Sequence, residues 1–418
     1  MKKRAVSLIL VLVLMSSILI GCTGNTNGTT PAGGNSNSDS TGTKDPVIIG
    51  ALTSLSGALQ DYGEQNQRGF MLGLEYATNG TMEVAGRKIE VLWEDTTNVP
   101  DVARERALKL LDQDKVDILM GCASSSDAAA ILDLAQEFKT LYVVEPAAAD
   151  FLTGPSWNRY IFRTGRNTAQ DAAAVANVIV SNKPGAKVAI LAPDSAFGRS
   201  GAEPAVAALA ASGAELIHQE FPPTDTTDFT PYILRIREAK PDYLYVIWAG
   251  ANNPWGQLME LNLASYGVNI ITNAPEIAAL RSMTPMVGMQ GFTVYYNSVP
   301  DNPINDWLVE KHKEKHNTVP DMFTSGGMAA AMAIVTALEK TGGDTDTEKL
   351  IETMRGMEFD SPTGKRYFRE EDHQAIQPLF EIVLTEVDGV DHPVPELVRI
   401  IPADDVAPPM TVPADAKR

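Results

Sequence analysis

Residues 116–144 read VDILMGCASSSDAAAILDLAQEFKTLYVV. Val116 to Met120 is a short apolar run of strand length. Gly121 to Ser126 is small and polar. Asp127 to Phe138 has the length of a helix, and Leu141 to Val144 is a second apolar run. A strand, a helix and a strand make the repeating unit of a parallel sheet. Strands that are apolar throughout, rather than alternating, belong to a sheet covered on both faces.

Working outward, the unit recurs. Val47-Ile48-Ile49 reads as a strand, Gln65 to Ala77 as a helix, and Ile89 to Trp93 as a strand. Val102 to Gln113 is an amphipathic helix with Val102, Ala103, Ala107, Leu110 and Leu111 on one face. After Tyr160 to Phe162 the alternation restarts. Helices are expected at Thr168 to Val180, Ser200 to Ser212, Phe229 to Ala239 and Trp255 to Ser265. Strands are expected at Lys187 to Leu191, Ala214 to Glu220, Tyr243 to Trp248 and Asn269 to Ile271. Two α/β sets of similar size in 418 residues predict two similar lobes. There is also an internal echo. Tyr62-Gly63 and Phe197-Gly198 each follow a strand and a turn, which puts an aromatic at the carboxyl end of a strand, where α/β sheets hold ligands.

The first residues read as a targeting segment. Lys2, Lys3 and Arg4 precede an apolar run from Ala5 to Ile20, the pattern of a secretory signal. Leu19-Ile20-Gly21-Cys22 resembles a lipobox, with Cys22 the lipidated residue of a membrane-anchored lipoprotein. An uncleaved membrane anchor is the alternative, but the run is shorter than the ~20 apolar residues of a span. Thr23 to Thr43 is rich in Gly, Ser, Asn and Thr and reads as a flexible leash. Such a leash holds the body roughly 25 Å from a membrane. With Cys22 assigned, Cys122 has no partner in the chain and is expected to be buried. The net charge of −19 becomes −22 without Lys2, Lys3 and Arg4, which argues against nucleic acid as a partner.

Catalytic signatures are scarce. The chain has no Gly-x-Ser-x-Gly elbow, no phosphate loop ending in Gly-Lys-Ser/Thr and no His-Glu-x-x-His. No enzyme, metal or cofactor is expected. His312 and His316 stand four apart on the expected helix Pro303 to Lys315. Lys311, Lys313, Glu314 and Lys315 surround them, so the pair reads as a solvated helix face rather than a metal site. Ser124-Ser125-Ser126-Asp127 opens a helix. Its hydroxyls and free N–H groups suit a carboxylate, while helix capping explains only one of the serines.

Several stretches, in order, resemble the branched-chain amino-acid (Leu/Ile/Val) binding proteins of ABC importers. They are Ser54 to Gly69, Trp93-Glu94-Asp95, Ser124 to Ser126, Glu145 to Ala149, Ile161 to Thr164, Asp194 to Gly198, Asp360 to Gly364 and Asp372-His373-Gln374. The resemblance implies a type I periplasmic-binding fold, with two doubly wound α/β lobes and three hinge crossovers. These fall near Thr164–Asn167, Asn297–Pro300 and Ile376–Phe380. With the signal peptide at 1–21 and the linker at 22–45 read above, it implies lobe one at 46–165 and 299–377 and lobe two at 166–298 and 378–402, with a tail at 403–418.

The resemblance also implies site residues. Ser124 grips a ligand carboxylate, with Ser125 beside it, and Ala148 adds a backbone contact. Tyr62 and Phe197 wall the site, and Glu276 pairs with a ligand ammonium. Ala149 and Trp248 complete the candidate set. Departures stand out as well. Ala149 replaces a common Thr, Asp150 is an acid that would repel a carboxylate or bind a cation, Gly326-Gly327 lies near a common Tyr, and Phe197 lacks a hydroxyl. Together they suggest a roomier, less polar site for an aromatic or larger solute. The reading is a monomeric solute-binding protein on the extracytoplasmic face that captures an amino acid or small carboxylate for an ABC permease. The alternative is a ligand-sensing ectodomain, or an accessory protein presenting a small solute to a receptor; a receptor would need its own membrane span and signalling segment.

Overall fold

The computed structural model describes residues 44–414 and Ala416. Cys22, the leader and most of the leash lie outside the described residues.

The strands of the first half are β1 (Val47–Thr53), β2 (Glu83–Val84), β3 (Arg87–Asp95), β4 (Ile118–Gly121), β5 (Leu141–Val144) and β6 (Ile161–Arg163). They form one sheet in the order β2-β3-β1-β4-β5-β6, parallel except where β2 meets β3. Ile49 lies opposite Ile118, and Ile118 opposite Leu141, so the apolar runs stack across the sheet. The second half has β7 (Lys187–Leu191), β8 (Glu215–Glu220), β9 (Tyr243–Val246) and β10 (Asn269–Ile271), parallel in the order β10-β9-β7-β8. Beside it lie β11 (Gln290–Thr293), β15 (Leu379–Thr385) and β16 (Val394–Ile401), an antiparallel set. β12 (Glu358–Phe359), β13 (Arg366–Phe368) and β14 (Ala375–Ile376) form a small antiparallel sheet.

Helices cover both faces of each parallel sheet. In the second half one core joins helices Thr168–Asn182 and Ala196–Ser212 to the sheet. Another joins helices Thr230–Ala239 and Trp255–Glu260 to its other face. The chain passes between the halves after β6, after β11 and after β14, giving the three crossovers of a type I fold.

In the first half, helix Gln60–Ala77 crosses helix Met322–Lys340 at backbone distance. A Cβ on Gly69 would stand 1.9 Å from the Thr324 carbonyl oxygen, and one on Gly63 would stand 1.8 Å from that of Ser54. These glycines of the quoted signature are therefore packing residues. Helix Met322–Lys340 is apolar and long enough to cross a bilayer, but most of it is buried against this core.

Several elements differ from expectation. Helix Gln60–Ala77 starts five residues early, and Ala196–Ser212 four residues early because the Ser195 hydroxyl caps it by accepting from Gly198 N–H at 3.1 Å. Tyr62 and Phe197 thus stand on first helical turns. The expected helix 127–138 is two pieces, Ser125–Ala129 and Leu132–Phe138. The helix from Trp255 stops at Glu260, where Asn262 turns left-handed (φ 41°), and a 3₁₀ turn Leu263–Tyr266 follows. Cys122 is buried as expected, with the Tyr142 hydroxyl 3.6 Å from its Sγ. His312 is a correction. It is buried, with Nδ1 2.8 Å from the Thr318 carbonyl oxygen, so it ties down the chain after its own helix, and only His316 faces solvent.

Candidate functional site

A cavity of about 500 Å³ lies between the two parallel sheets. The loops after β4, β5, β7, β9 and β10 all reach it, so it sits at the carboxyl ends of both sheets. A surface groove of about 820 Å³ is larger, but it borders Tyr243, Asn269 and Gln290, the amino-terminal ends of β9, β10 and β11. Position favours the cleft.

On the first-half wall, Ser124 is the N-cap of helix Ser125–Ala129, and its hydroxyl oxygen accepts from Asp127 N–H at 3.4 Å. The Ser125 hydroxyl oxygen accepts from Ala149 N–H at 3.2 Å. Each hydroxyl is oriented by accepting a bond and keeps its own proton to donate, the arrangement a carboxylate needs. Ser126, Pro146 and Ala148 also line this wall. Asp127 is buried behind it, and burial pushes its carboxyl up to about 6.

On the second-half wall, Glu276 is 6% exposed. It accepts from the Tyr62 hydroxyl at 3.0 Å, and that hydroxyl accepts from Gly250 N–H at 2.9 Å. Tyr62 comes from the first half, so these bonds cross the cleft. Burial first, and then nearby Asp321, push the Glu276 carboxyl up to about 7. Asp321 is held by N–H groups of Ile277 and Met322 at 2.9 and 2.8 Å. Phe323 stacks on Tyr62 with ring centroids 4.0 Å apart. Phe197 and Trp248 also face the cavity, and the Trp248 indole N–H donates to Asn252 O at 2.8 Å.

Of the eight expected ligand residues, seven line this one cavity: Tyr62, Ser124, Ser125, Ala148, Phe197, Trp248 and Glu276. Ala149 is the exception. It is fully buried, and its N–H is spent on Ser125. Asp150 is also away from the cavity. Its N–H donates to Ser200 Oγ at 2.8 Å, and its carboxylate accepts from the same hydroxyl, which joins the halves beside a crossover. Gly326 and Gly327 do not enlarge the cavity either. A Cβ on Gly326 would meet Glu145 Oε1 at 2.2 Å, and one on Gly327 would meet Asn66 O at 2.2 Å.

Sequence reasoning missed Arg166, Asp171, Tyr245, Asn273 and Phe323, all of which line the cavity. Phe323 had a signal. Asp321-Met322-Phe323 repeats the Ser195-Ala196-Phe197 pattern of a cap followed two residues later by an aromatic. Arg166 and Asp171 had none, and they make the site more polar than expected. Arg166 Nε lies 3.3 Å from Asp171 Oδ1, with the two side chains 12% and 6% exposed. Burial pushes the Asp171 carboxyl up, and Arg166 pulls it back down.

Comparison with known proteins agrees with this architecture. A family profile described as periplasmic binding protein matches residues 46–389. A Leu/Ile/Val-binding protein homolog from Brucella abortus is 25% identical over 359 residues, covering 83% of this chain and 89% of that protein. The crystal structure of an ABC-type branched-chain amino acid transporter from Rhodopseudomonas palustris CGA009 is 43% identical, with a TM-score of 0.77 over 89% of this chain and 100% of that one. A solute binding protein of an ABC transporter from Rhodopseudomonas palustris BisB5, solved with 3,4-dihydroxy benzoic acid, is 26% identical with a TM-score of 0.77, covering 86% of this chain and 98% of that chain. A profile that spans both halves, together with relatives alike in sequence and in fold, shows that the chain belongs to the periplasmic binding protein family, the extracytoplasmic solute-binding proteins of ABC transporters.

Proposed function

We propose that the cleft captures an amino acid or a small aromatic carboxylate by closure of two lobes, 46–165 with 299–377 and 166–298 with 378–402. The Ser124–Ser126 loop takes the carboxylate. Tyr62, Phe197, Phe323 and Trp248 hold the body of the solute, and Glu276 takes an ammonium where the solute has one. The observation that carries this reading is the pair of oriented, proton-bearing serine hydroxyls at one wall of a cavity whose other wall holds a buried acid. The relative solved with 3,4-dihydroxy benzoic acid supports the aromatic option. The bonds from Tyr62 to Glu276 and Gly250 favour the closed arrangement, and a ligand that touches both walls adds to that bias.

Cys22 carries the lipid that keeps the protein at the membrane, as a monomer, within reach of its permease. Cys22→Ser releases it from membranes. A wild-type mature N-terminus found unacylated and at another residue would contradict the anchor.

A thermal-shift screen over amino acids and aromatic acids tests the solute class, since a ligand of the native state raises its stability by mass action. Small-angle scattering tests closure. The radius of gyration falls at saturation, and an unchanged profile would count against two moving lobes.

A further inference from the structure

The cavity floor holds an ion pair that no carboxylate or ammonium of the solute would complete. Arg166 follows β6 and Asp171 lies on helix Thr168–Asn182, so the pair sits where the first half passes into the second. Both residues line the cavity. Arg166 Nε and Asp171 Oδ1 are 3.3 Å apart and buried against each other, which leaves the other guanidinium N–H groups and the second carboxylate oxygen as the polar atoms a solute can reach. A desolvated ion pair is stable only when its remaining donors and acceptors are met. An aliphatic side chain laid over this pair would meet none of them.

The location sets the reach. β4, which carries the Ser124 loop, and β6 are separated by β5 alone. Two strand spacings put their ends roughly 10 Å apart. A solute about that long, with its carboxylate on the serines, can present its far end to Arg166 and Asp171, since both line the same cavity.

The chemistry of the pair then selects that far end. A second carboxylate would satisfy Arg166 and repel Asp171, and an ammonium would do the reverse. A neutral group that accepts from the guanidinium and donates to the carboxylate satisfies both, and a hydroxyl or a carboxamide does this. Resting on the solute-capture reading above, we infer that Arg166 and Asp171 determine specificity, selecting small carboxylates that carry a hydroxyl or carboxamide at the end remote from the carboxylate.

The test is calorimetry on the detergent-solubilised full-length protein with three matched pairs of solutes: 4-hydroxybenzoate and benzoate, tyrosine and phenylalanine, glutamine and leucine. The wild type binds the hydroxyl or amide member of at least one pair roughly tenfold to a hundredfold more tightly. The double variant Arg166→Met with Asp171→Leu removes both charges together. It loses that preference and binds the apolar member as well as, or better than, the wild type does. If the pair only braces the crossover, the double variant weakens both members equally, and the inference falls. Binding of both members of every pair with equal affinity by the wild type also overturns it, and needs no variant to fold. If none of the six solutes binds, the carboxylate reading of the cleft fails and the specificity assignment fails with it.

Discussion

The two walls of the cleft are built from different materials. The Ser124–Ser126 loop of the first-half wall, beside the Tyr62 and Phe323 rings, is backbone and hydroxyl: Ser124 and Ser125 are oriented by N–H groups of their own half, and no charged side chain of that loop faces the cavity. The second-half side is ionic. It holds Glu276, with its carboxyl pushed up to about 7, and Asp171 beside Arg166. A wall of fixed dipoles suits the group that every solute of the class shares. A wall of buried ionisable groups separates one solute from another and responds to pH.

The sharpest way to break this contrast is Glu276→Gln. For a solute with an ammonium, the variant loses about 3–5 kcal/mol of binding, the scale of breaking a buried ion pair. For the same solute without its amine the change is neutral or favourable. Calorimetry with an amino acid and its des-amino analogue separates the two. Equal losses would make the second wall as indifferent as the first.

The next effect is on stability and pH. The Glu276 carboxyl is raised from 4.5 to about 7 in the folded state. The folded state therefore holds the proton more tightly, and its contribution is complete below pH 4.5 and lost as pH rises through 7. The span amounts to roughly 3 kcal/mol at about 1.4 kcal/mol per unit. Asp127, raised to about 6, acts in the same direction, whereas His373, lowered by burial to about 3, acts in the opposite direction at pH values up to 6.5. The clean comparison is wild type minus Glu276→Gln in chemical denaturation at pH 5 and pH 8. The wild type loses more stability over that interval than the variant. Parallel pH profiles would mean that Glu276 is not titrating from a buried site.

On the first wall, Ser124→Ala removes a hydrogen bond to a charged group and costs about 1.5–3 kcal/mol of binding, with the same loss for amine and non-amine carboxylates. Unaltered affinity would reduce Ser124 to a helix cap. The smallest effect is that of Ser125→Ala. It strips the Ala149 N–H of its partner and lowers stability by about 1 kcal/mol, read from the denaturation midpoint, at any pH between 5 and 8. A strongly pH-dependent loss would break the contrast between the walls.

The same difference governs what was legible in the sequence. The parallel sheets follow from apolar runs of strand length, and the Ser124 loop follows from its place between a strand and a helix, because both depend on residues close in the chain. Tyr62 and Phe197 were found by the echo between the halves. Arg166 and Asp171 were not, because their meaning depends on a crossover that brings β6 and the next helix to the cavity floor. Asp150 and Gly326-Gly327 were misread for a related reason. Their neighbours, Ser200 and Glu145, are distant in sequence, and proximity to a motif says nothing about which way a residue packs. The antiparallel pairing of β15 and β16 was also invisible, since its partners across the sheet include β11 from the far side of three helices.

The structure of a complex with the tightest binder from the solute screen tests the central claim most directly. The account predicts the solute carboxylate against Ser124–Ser126 and the solute body between Phe197 and the stacked Tyr62 and Phe323. A solute seated instead in the groove beside Tyr243 and Gln290, with the cleft empty, would contradict it.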